Sequence, residues 1–197
     1  TSGSGNDLVE LGFGSGATIL GGSGDDTFGF SLVESGEIDA GSGADSLYFA
    51  GDVSGTTTVL GGEGDDTFGF AGSVTGVIAG GLGSDSLVFE QAQTASSLTY
   101  VFGSDDGGSD IGAADTLYFG PAATASASVP QITVAIGSGM TASGTSFELR
   151  YETDRSGTFV DMNSGSINTI GFVANLTESQ ITLVADGSIS VPSEFTI

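Results

Sequence analysis

The sequence predicts an all-β protein: a parallel β-roll of about five to six coils over residues 1–120, followed by an antiparallel, β-rich cap domain over residues 121–197. Three observations predict it. Aspartates recur at Asp7, Asp26, Asp45, Asp66, Asp85 and Asp115, each preceded by glycines and followed two residues later by a large apolar residue. After each of them apolar residues alternate with period two, the mark of a strand with one inward face. Beyond Pro121 the glycine motif stops, and short alternating strands replace it.

The glycine-rich segments set the turns. Gly21–Gly29 (GGSGDDTFG) and Gly61–Gly69 (GGEGDDTFG) fit the nine-residue pattern GGxGxDxUx at every fixed position, U being a large apolar residue. Ser2–Glu10 (SGSGNDLVE), Ala40–Tyr48 (AGSGADSLY) and Gly80–Val88 (GGLGSDSLV) keep the Asp, the apolar U and most of the glycines. Successive aspartates lie 19, 19, 21, 19 and 30 residues apart, about twice the repeat, so a second strand and turn must lie between motifs. Two residues ahead of the motifs stand Ile19, Ile38, Val59 and Ile78, and the turns leading to them (LGFGSGA, SLVESGE, AGDVSGT, AGSVTGV) carry no motif Asp. The two sides of each coil therefore differ.

The strands after the motifs place Val9 and Leu11, Phe28 and Phe30, Leu47 and Phe49, Phe68 and Phe70, Leu87 and Phe89, and Leu117 and Phe119 on one face. Stacked at the usual spacing of neighbouring strands, roughly 4.8 Å, they form two apolar columns. Ile19, Ile38, Val59 and Ile78 fill the opposite wall. A single coil cannot bury such a face, so its neighbours must supply the cover.

The turn chemistry points to a hard cation, which prefers oxygen ligands: glycine-rich loops can aim several backbone carbonyls at one place, and carboxylates complete the shell. In one isolated copy, Gly and Asp would merely shape a solvated turn. Five copies with coupled Gly, Asp and apolar positions favour the cation. Glu34, Glu37, Asp39, Asp52 and the position-five acids Asp25 and Asp65, whose equivalents are Asn6, Ala44 and Ser84, read as solvated groups.

This arrangement resembles the RTX calcium-binding repeats of secreted bacterial proteins, above all those of surface-layer and matrix proteins. The resemblance implies a calcium-stabilised roll with one ion between successive turns, held by the sixth-position Asp of both and by loop carbonyls. Carried over, the pairs are Asp7 with Asp26, Asp26 with Asp45, Asp45 with Asp66, and Asp66 with Asp85. The carbonyls are those near Gly3, Gly5, Gly22, Gly24, Gly41, Gly43, Gly62, Gly64, Gly81 and Gly83. The ion count expected is about four to six.

The segment Gly103–Asp115 (GSDDGGSDIGAAD) departs from the pattern by an insertion, yet it leads into Asp-Thr-Leu-Tyr-Phe, close to the Asp-Ser-Leu-Tyr-Phe of Asp45–Phe49. It reads as a final, modified coil with Asp115 as its metal ligand. Asp105, Asp106 and Asp110 leave two readings open: a further ion in a different geometry, with Asp110 as ligand, or a solvated loop. Ala122–Pro130 (AATASASVP) is linker material. Beyond it QITVAI, TSFELRYE, GTFVDM, NTIGFVANL and QITLVA read as short strands of a sandwich or capping sheet. Such a cap covers the edge strand of the last coil, which would otherwise template aggregation.

Composition bounds the function. The chain of 197 residues carries 25 acids against Arg150 and Arg155, with no Lys, His or Cys, for a formal charge of −23. Two arginines cannot build the phosphate-neutralising patch that nucleic-acid binding needs, and anionic membranes repel the chain likewise. No apolar run approaches the length of a membrane span. Without Cys there are no disulfides, which suits an exported protein that takes its staples from metal. The lack of His and Cys removes Ser-His and thiol catalysis. Glu148, Glu152 and Asp154 lie on or beside one strand with no evident cleft, and read as partners of the arginines. No enzyme is expected, and Asn175-Leu176-Thr177 is a chance match to a glycosylation triplet.

The function expected is a calcium-dependent structural protein of the bacterial cell surface, a surface-layer, matrix or filament subunit that folds and self-assembles on binding calcium. The alternative is an export and folding module of a larger secreted enzyme, toxin or adhesin. Thr1–Asp7 opens inside a repeat, which supports the second reading, and Ser188–Ile197 (SISVPSEFTI) fits either a carboxy-terminal secretion signal or a plain strand.

Overall fold

The computed structural model describes residues 1–90, 98–102, 115–119, 132–136, 146–163, 167–176 and 180–184, and these hold β-strands and no α-helix. The expected Asp110, with Asp105 and Asp106, lies outside the described residues, as do the linker and the carboxy-terminal tail. The chain opens with β1 (Gly3–Ser4) and two long strands, β2 (Leu8–Ser23) and β3 (Thr27–Ser42). Strands then follow as β4 (Ser46–Phe49), β5 (Thr57–Glu63), β6 (Thr67–Phe70), β7 (Val77–Leu82), β8 (Ser86–Phe89), β9 (Thr99–Phe102) and β10 (Asp115–Phe119). All pair in parallel: β3, β4, β6, β8 and β10 in sequence form the motif wall, while β3, β5, β7 and β9 form the opposite wall. The fold is the parallel β-roll that the repeats predict.

Alternation along each strand sends every second residue inward, and parallel register turns those residues into columns. Phe28, Leu47, Phe68, Leu87 and Leu117 stand in one column; Phe30, Phe49, Phe70, Phe89 and Phe119 stand in the next. In the second column the ring centroids lie 4.9, 5.0, 5.0 and 4.6 Å apart with planes within 17° of parallel. Strand spacing dictates that geometry, since side chains at equivalent positions repeat at the same ~4.8 Å interval and flat rings fill it face to face with an offset. Ile19, Ile38, Val59 and Ile78 align on the opposite wall. A further column, Val33, Val53 and Val74, lies in the turns that carry no motif Asp, joined by isolated parallel bridges and almost wholly buried. β2 is the outer coil, so Leu11, which shares a row with the buried Phe30, remains 36% exposed, while Leu8 shares the outward row of Thr27, Ser46 and Thr67 and is 71% exposed.

Beyond residue 121 come β11 (Ile132–Ile136), β12 (Ser146–Glu152), β13 (Gly157–Asn163), β14 (Ile167–Ala174) and β15 (Ile181–Val184). The antiparallel part is β12 to β14. β14 also pairs in parallel with β10, and β11 and β15 extend the opposite wall from β9 in parallel. Arg150 Nε donates to the buried Asp161 Oδ2 at 2.6 Å, and Thr169 Oγ1 donates to Asp161 Oδ1 at 2.8 Å. Both guanidinium groups lie over the Phe159 ring, at 4.6 Å for Arg150 and 5.6 Å for Arg155. Asp161 was not among the partners expected for the arginines, because its strand, β13, is brought to them only by the hairpin register.

Asn175 joins cap to roll. It adopts a φ of 65° and its Nδ2 donates to Phe119 O at 2.7 Å, which ties the last residue of the aromatic column to the cap. Replacing Asn175 with Ala removes that donor and leaves an ordinary side chain in the left-handed region. The expected loss is about 2 kcal/mol of unfolding free energy, read from urea denaturation.

Candidate metal centre

The motif turns are built by paired glycines. Gly3, Gly5, Gly22, Gly24, Gly41, Gly43, Gly62, Gly64, Gly81 and Gly83 all have φ between 103° and 134°, a region closed to other residues without strain. These are the ten glycines near which the resemblance to calcium-binding repeats implies carbonyl ligands. The turns also stack too closely for a side chain: a Cβ built on Gly22, Gly41, Gly62 or Gly81 would collide with the carbonyl oxygen of the equivalent glycine one coil earlier. Position-four N–H groups hold the stack, with Gly5, Gly24, Gly43 and Gly64 donating to the third-position carbonyls of Ser23, Ser42, Glu63 and Leu82 at 2.7 to 2.8 Å.

Each sixth-position Asp is fixed twice to the next coil. Its carbonyl accepts from the residue after the next Asp, as Asp26 O accepts from Ser46 N at 2.9 Å and Asp66 O from Ser86 N at 2.9 Å. Its N–H donates to the next carboxylate: Asp7 to Asp26 Oδ1, Asp26 to Asp45 Oδ1, Asp45 to Asp66 Oδ1, Asp66 to Asp85 Oδ1 and Asp85 to Asp115 Oδ1, all at 2.7 to 2.8 Å. The result is a column of carboxylates, with Asp26, Asp45, Asp66, Asp85 and Asp115 at most 2% exposed.

The second oxygen is the informative one. Oδ2 of Asp7, Asp26, Asp45 and Asp66 is buried and has no hydrogen-bond partner. At Asp66 the first-position glycine makes room for it, since a Cβ on Gly61 would overlap Asp66 Oδ2. A buried acceptor left without a donor is expensive, and a repeated one more so. Burial pushes the Asp66 carboxyl up to about 7; the hydrogen bond from the Asp45 N–H opposes that rise, and the charges of Asp45, Asp65 and Asp115 add to it. Asp45 is raised by burial too, against the hydrogen bond from Asp26 N–H and with help from Asp26, Asp25 and Asp39.

These donors fit calcium. Stacked carboxylates whose buried Oδ2 atoms lack a donor, beside glycine turns rich in backbone oxygens, are the hard donor set that an oxygen-seeking divalent ion requires. Among the described residues no three carboxylates converge on one point. An ion between two turns would therefore draw on two of these aspartates and complete its shell from backbone carbonyls.

Two further features escaped sequence reasoning. The position-five side chains form a ladder of the opposite sense: Asp25 N–H donates to Asn6 Oδ1, Ala44 N–H to Asp25 Oδ1 and Ser84 N–H to Asp65 Oδ1, at 2.9 to 3.0 Å. Asp25 and Asp65 are exposed, as expected, yet they also bridge coils. Asn serves there as well as Asp because only an acceptor is needed, which hides the pattern from a search for acids. The other is Tyr100, whose buried hydroxyl donates to Asp115 Oδ2.

No protein-family model matches the chain, and no curated protein matches it.

Proposed function

We propose that this chain is a calcium-dependent structural protein of a bacterial cell surface, a surface-layer, matrix or filament subunit that folds and assembles when it binds calcium. The observation that carries the reading is the aspartate column with its buried, unpartnered Oδ2 atoms. Calcium would supply positive charge between turns that otherwise repel one another. Asp7, Asp26, Asp45, Asp66 and Asp85 would hold it, with the glycine turns giving carbonyls. At free calcium ten- to a hundredfold above the dissociation constant, each ion adds roughly 1.4 to 2.7 kcal/mol, so four gaps approach the ~5 to 15 kcal/mol of an ordinary domain.

Assembly has support in charge. A chain with net charge −23 repels copies of itself until divalent ions screen or bridge its exposed carboxylates, among them Glu10, Asp25, Glu63 and Asp65. Resemblance to surface-layer repeats and the lack of His, Cys and Lys point the same way. The test mixes purified protein with millimolar calcium and examines it by electron microscopy, with circular dichroism in parallel. Ordered sheets or filaments that dissolve in EGTA are the expected result. A calcium-folded protein that stays monomeric at every concentration would favour the export module instead.

A further inference from the structure

We propose that Tyr100 terminates the cation column, so that the gap between Asp85 and Asp115 is closed by a phenol and takes no ion. The inference rests on the calcium reading above and limits where that reading applies. Along the opposite wall the register runs Ile38, Val59, Ile78, Tyr100. Tyr100 thus stands where the other coils place a β-branched aliphatic residue that ends inside the core. Its ring is longer, and it is wholly buried. The extra length carries the hydroxyl across the coil to the motif turn, where it donates to Asp115 Oδ2 and accepts from Gly80 N–H at 3.2 Å.

Those two partners locate the oxygen. Gly80 is the first-position glycine of the Asp85 turn, and its α-carbon is the surface against which Asp85 Oδ2 packs: a Cβ there would overlap that oxygen. Asp115 is the next carboxylate in the column, bound through Oδ1 to Asp85 N–H at 2.8 Å. The phenol therefore lies between Gly80, in the turn of Asp85, and the Asp115 carboxylate. Asp7, Asp26, Asp45 and Asp66 keep an Oδ2 with no donor, whereas Asp115 Oδ2 receives a hydroxyl proton. A neutral donor satisfies the last carboxylate and fills space that a divalent ion and its ligands would need. The column ends where β10 passes to the cap strand β14, so the roll gains a dry, metal-independent closure at that end.

The experiment counts calcium by equilibrium dialysis on the whole chain, in wild type, Asp115→Asn and Tyr100→Ile. The amide oxygen introduced by Asp115→Asn would still accept Asp85 N–H, and Tyr100→Ile gives this coil the residue type of its neighbours. Asp115→Asn should bind as many ions as wild type, and Tyr100→Ile should bind one more. Tyr100→Ile should also melt lower than wild type in EGTA, with the difference shrinking in saturating calcium as the freed Asp115 oxygen finds an ion. Loss of one ion in Asp115→Asn, or an unchanged count in folded Tyr100→Ile, overturns the proposal and leaves the calcium reading standing. A wild-type chain that binds no calcium overturns the calcium reading and this proposal with it.

Discussion

Asp66→Asn is expected to stabilise the metal-free protein at pH 8 and to destabilise the calcium-loaded one. The substitution is conservative in shape, and the Asn oxygen can still accept the Asp45 N–H that Asp66 Oδ1 accepts at 2.8 Å. What it removes is a charge in a site only 1% exposed, on a carboxylate whose other oxygen has no partner. In EGTA that charge is a liability. With the folded carboxyl raised from 3.8 to about 7, the native chain holds a proton that the unfolded chain has already shed across that interval. The stability this proton contributes is fully present below 3.8 and is lost as pH rises through about 7. Metal-free wild type should therefore resist urea best near pH 4 and weaken toward pH 8. The linkage sets an upper bound of roughly 4 kcal/mol for Asp66, and Asp45 shifts in the same direction. Asp66→Asn should lack most of that slope, gaining ~2 to 4 kcal/mol at pH 8 and almost nothing at pH 4.

In calcium the sign reverses. Asp66 faces two gaps, shared with Asp45 and with Asp85, so its charge would serve two ions. Losing both costs about 3 to 5 kcal/mol at ten- to a hundredfold excess of calcium over the dissociation constant. Urea denaturation of wild type and Asp66→Asn at pH 8, with EGTA and with calcium, reads both effects. A difference of the same sign in the two media would rule out a metal role for the column.

The columns were legible because the structure repeats what the sequence repeats. Ile38, Val59 and Ile78 align as their offset from each motif requires, and Phe49, Phe70 and Phe89 stack because period two and parallel register leave them no other place. The glycines at positions two and four declared the left-handed turns for the same reason: only Gly adopts that backbone freely. Tyr100 was not legible. It follows Ile78 by 22 residues but precedes Asp115 by 15, whereas Ile78 precedes Asp85 by only 7, so the insertion breaks the offset that marks the column. The Val33, Val53, Val74 column hid in turns of differing sequence, where no fixed neighbour flags it. The cap's mixed pairing was hidden for another reason. Short alternating strands announce a sheet, but parallel or antiparallel pairing depends on where the connections cross, and β11 and β15 join β9 in parallel although β12 to β14 are antiparallel.

Gly62→Ala is expected to destabilise the roll by about 3 kcal/mol or more, with and without calcium, while Gly29→Ala leaves stability within about 0.5 kcal/mol. Both glycines sit in strands of the repeat, and both substitutions add one methyl group. Gly62 has a φ of 113°, where an L-residue is strained by roughly 1 to 3 kcal/mol. Its Cβ would also collide with the carbonyl oxygen of Gly41 in the preceding turn. That oxygen belongs to backbone clamped on the adjoining coils, since Gly43 N donates to Glu63 O at 2.8 Å and Asp45 N to Asp66 Oδ1 at 2.8 Å. Relief therefore requires the two turns to separate, which stretches those bonds and displaces the aspartates between which an ion would lie. Gly29 has no positive φ, and the nearest atom to its Cβ would be Glu10 Cγ at 3.7 Å, ordinary van der Waals contact on an outer face. Thermal and urea unfolding of the two variants compares steric tolerance at a coil-to-coil contact with tolerance on the open wall. Equal losses in both would mean that the turns do not stack as tightly as their glycines require, and the spacing of the aspartate column would lose its physical basis.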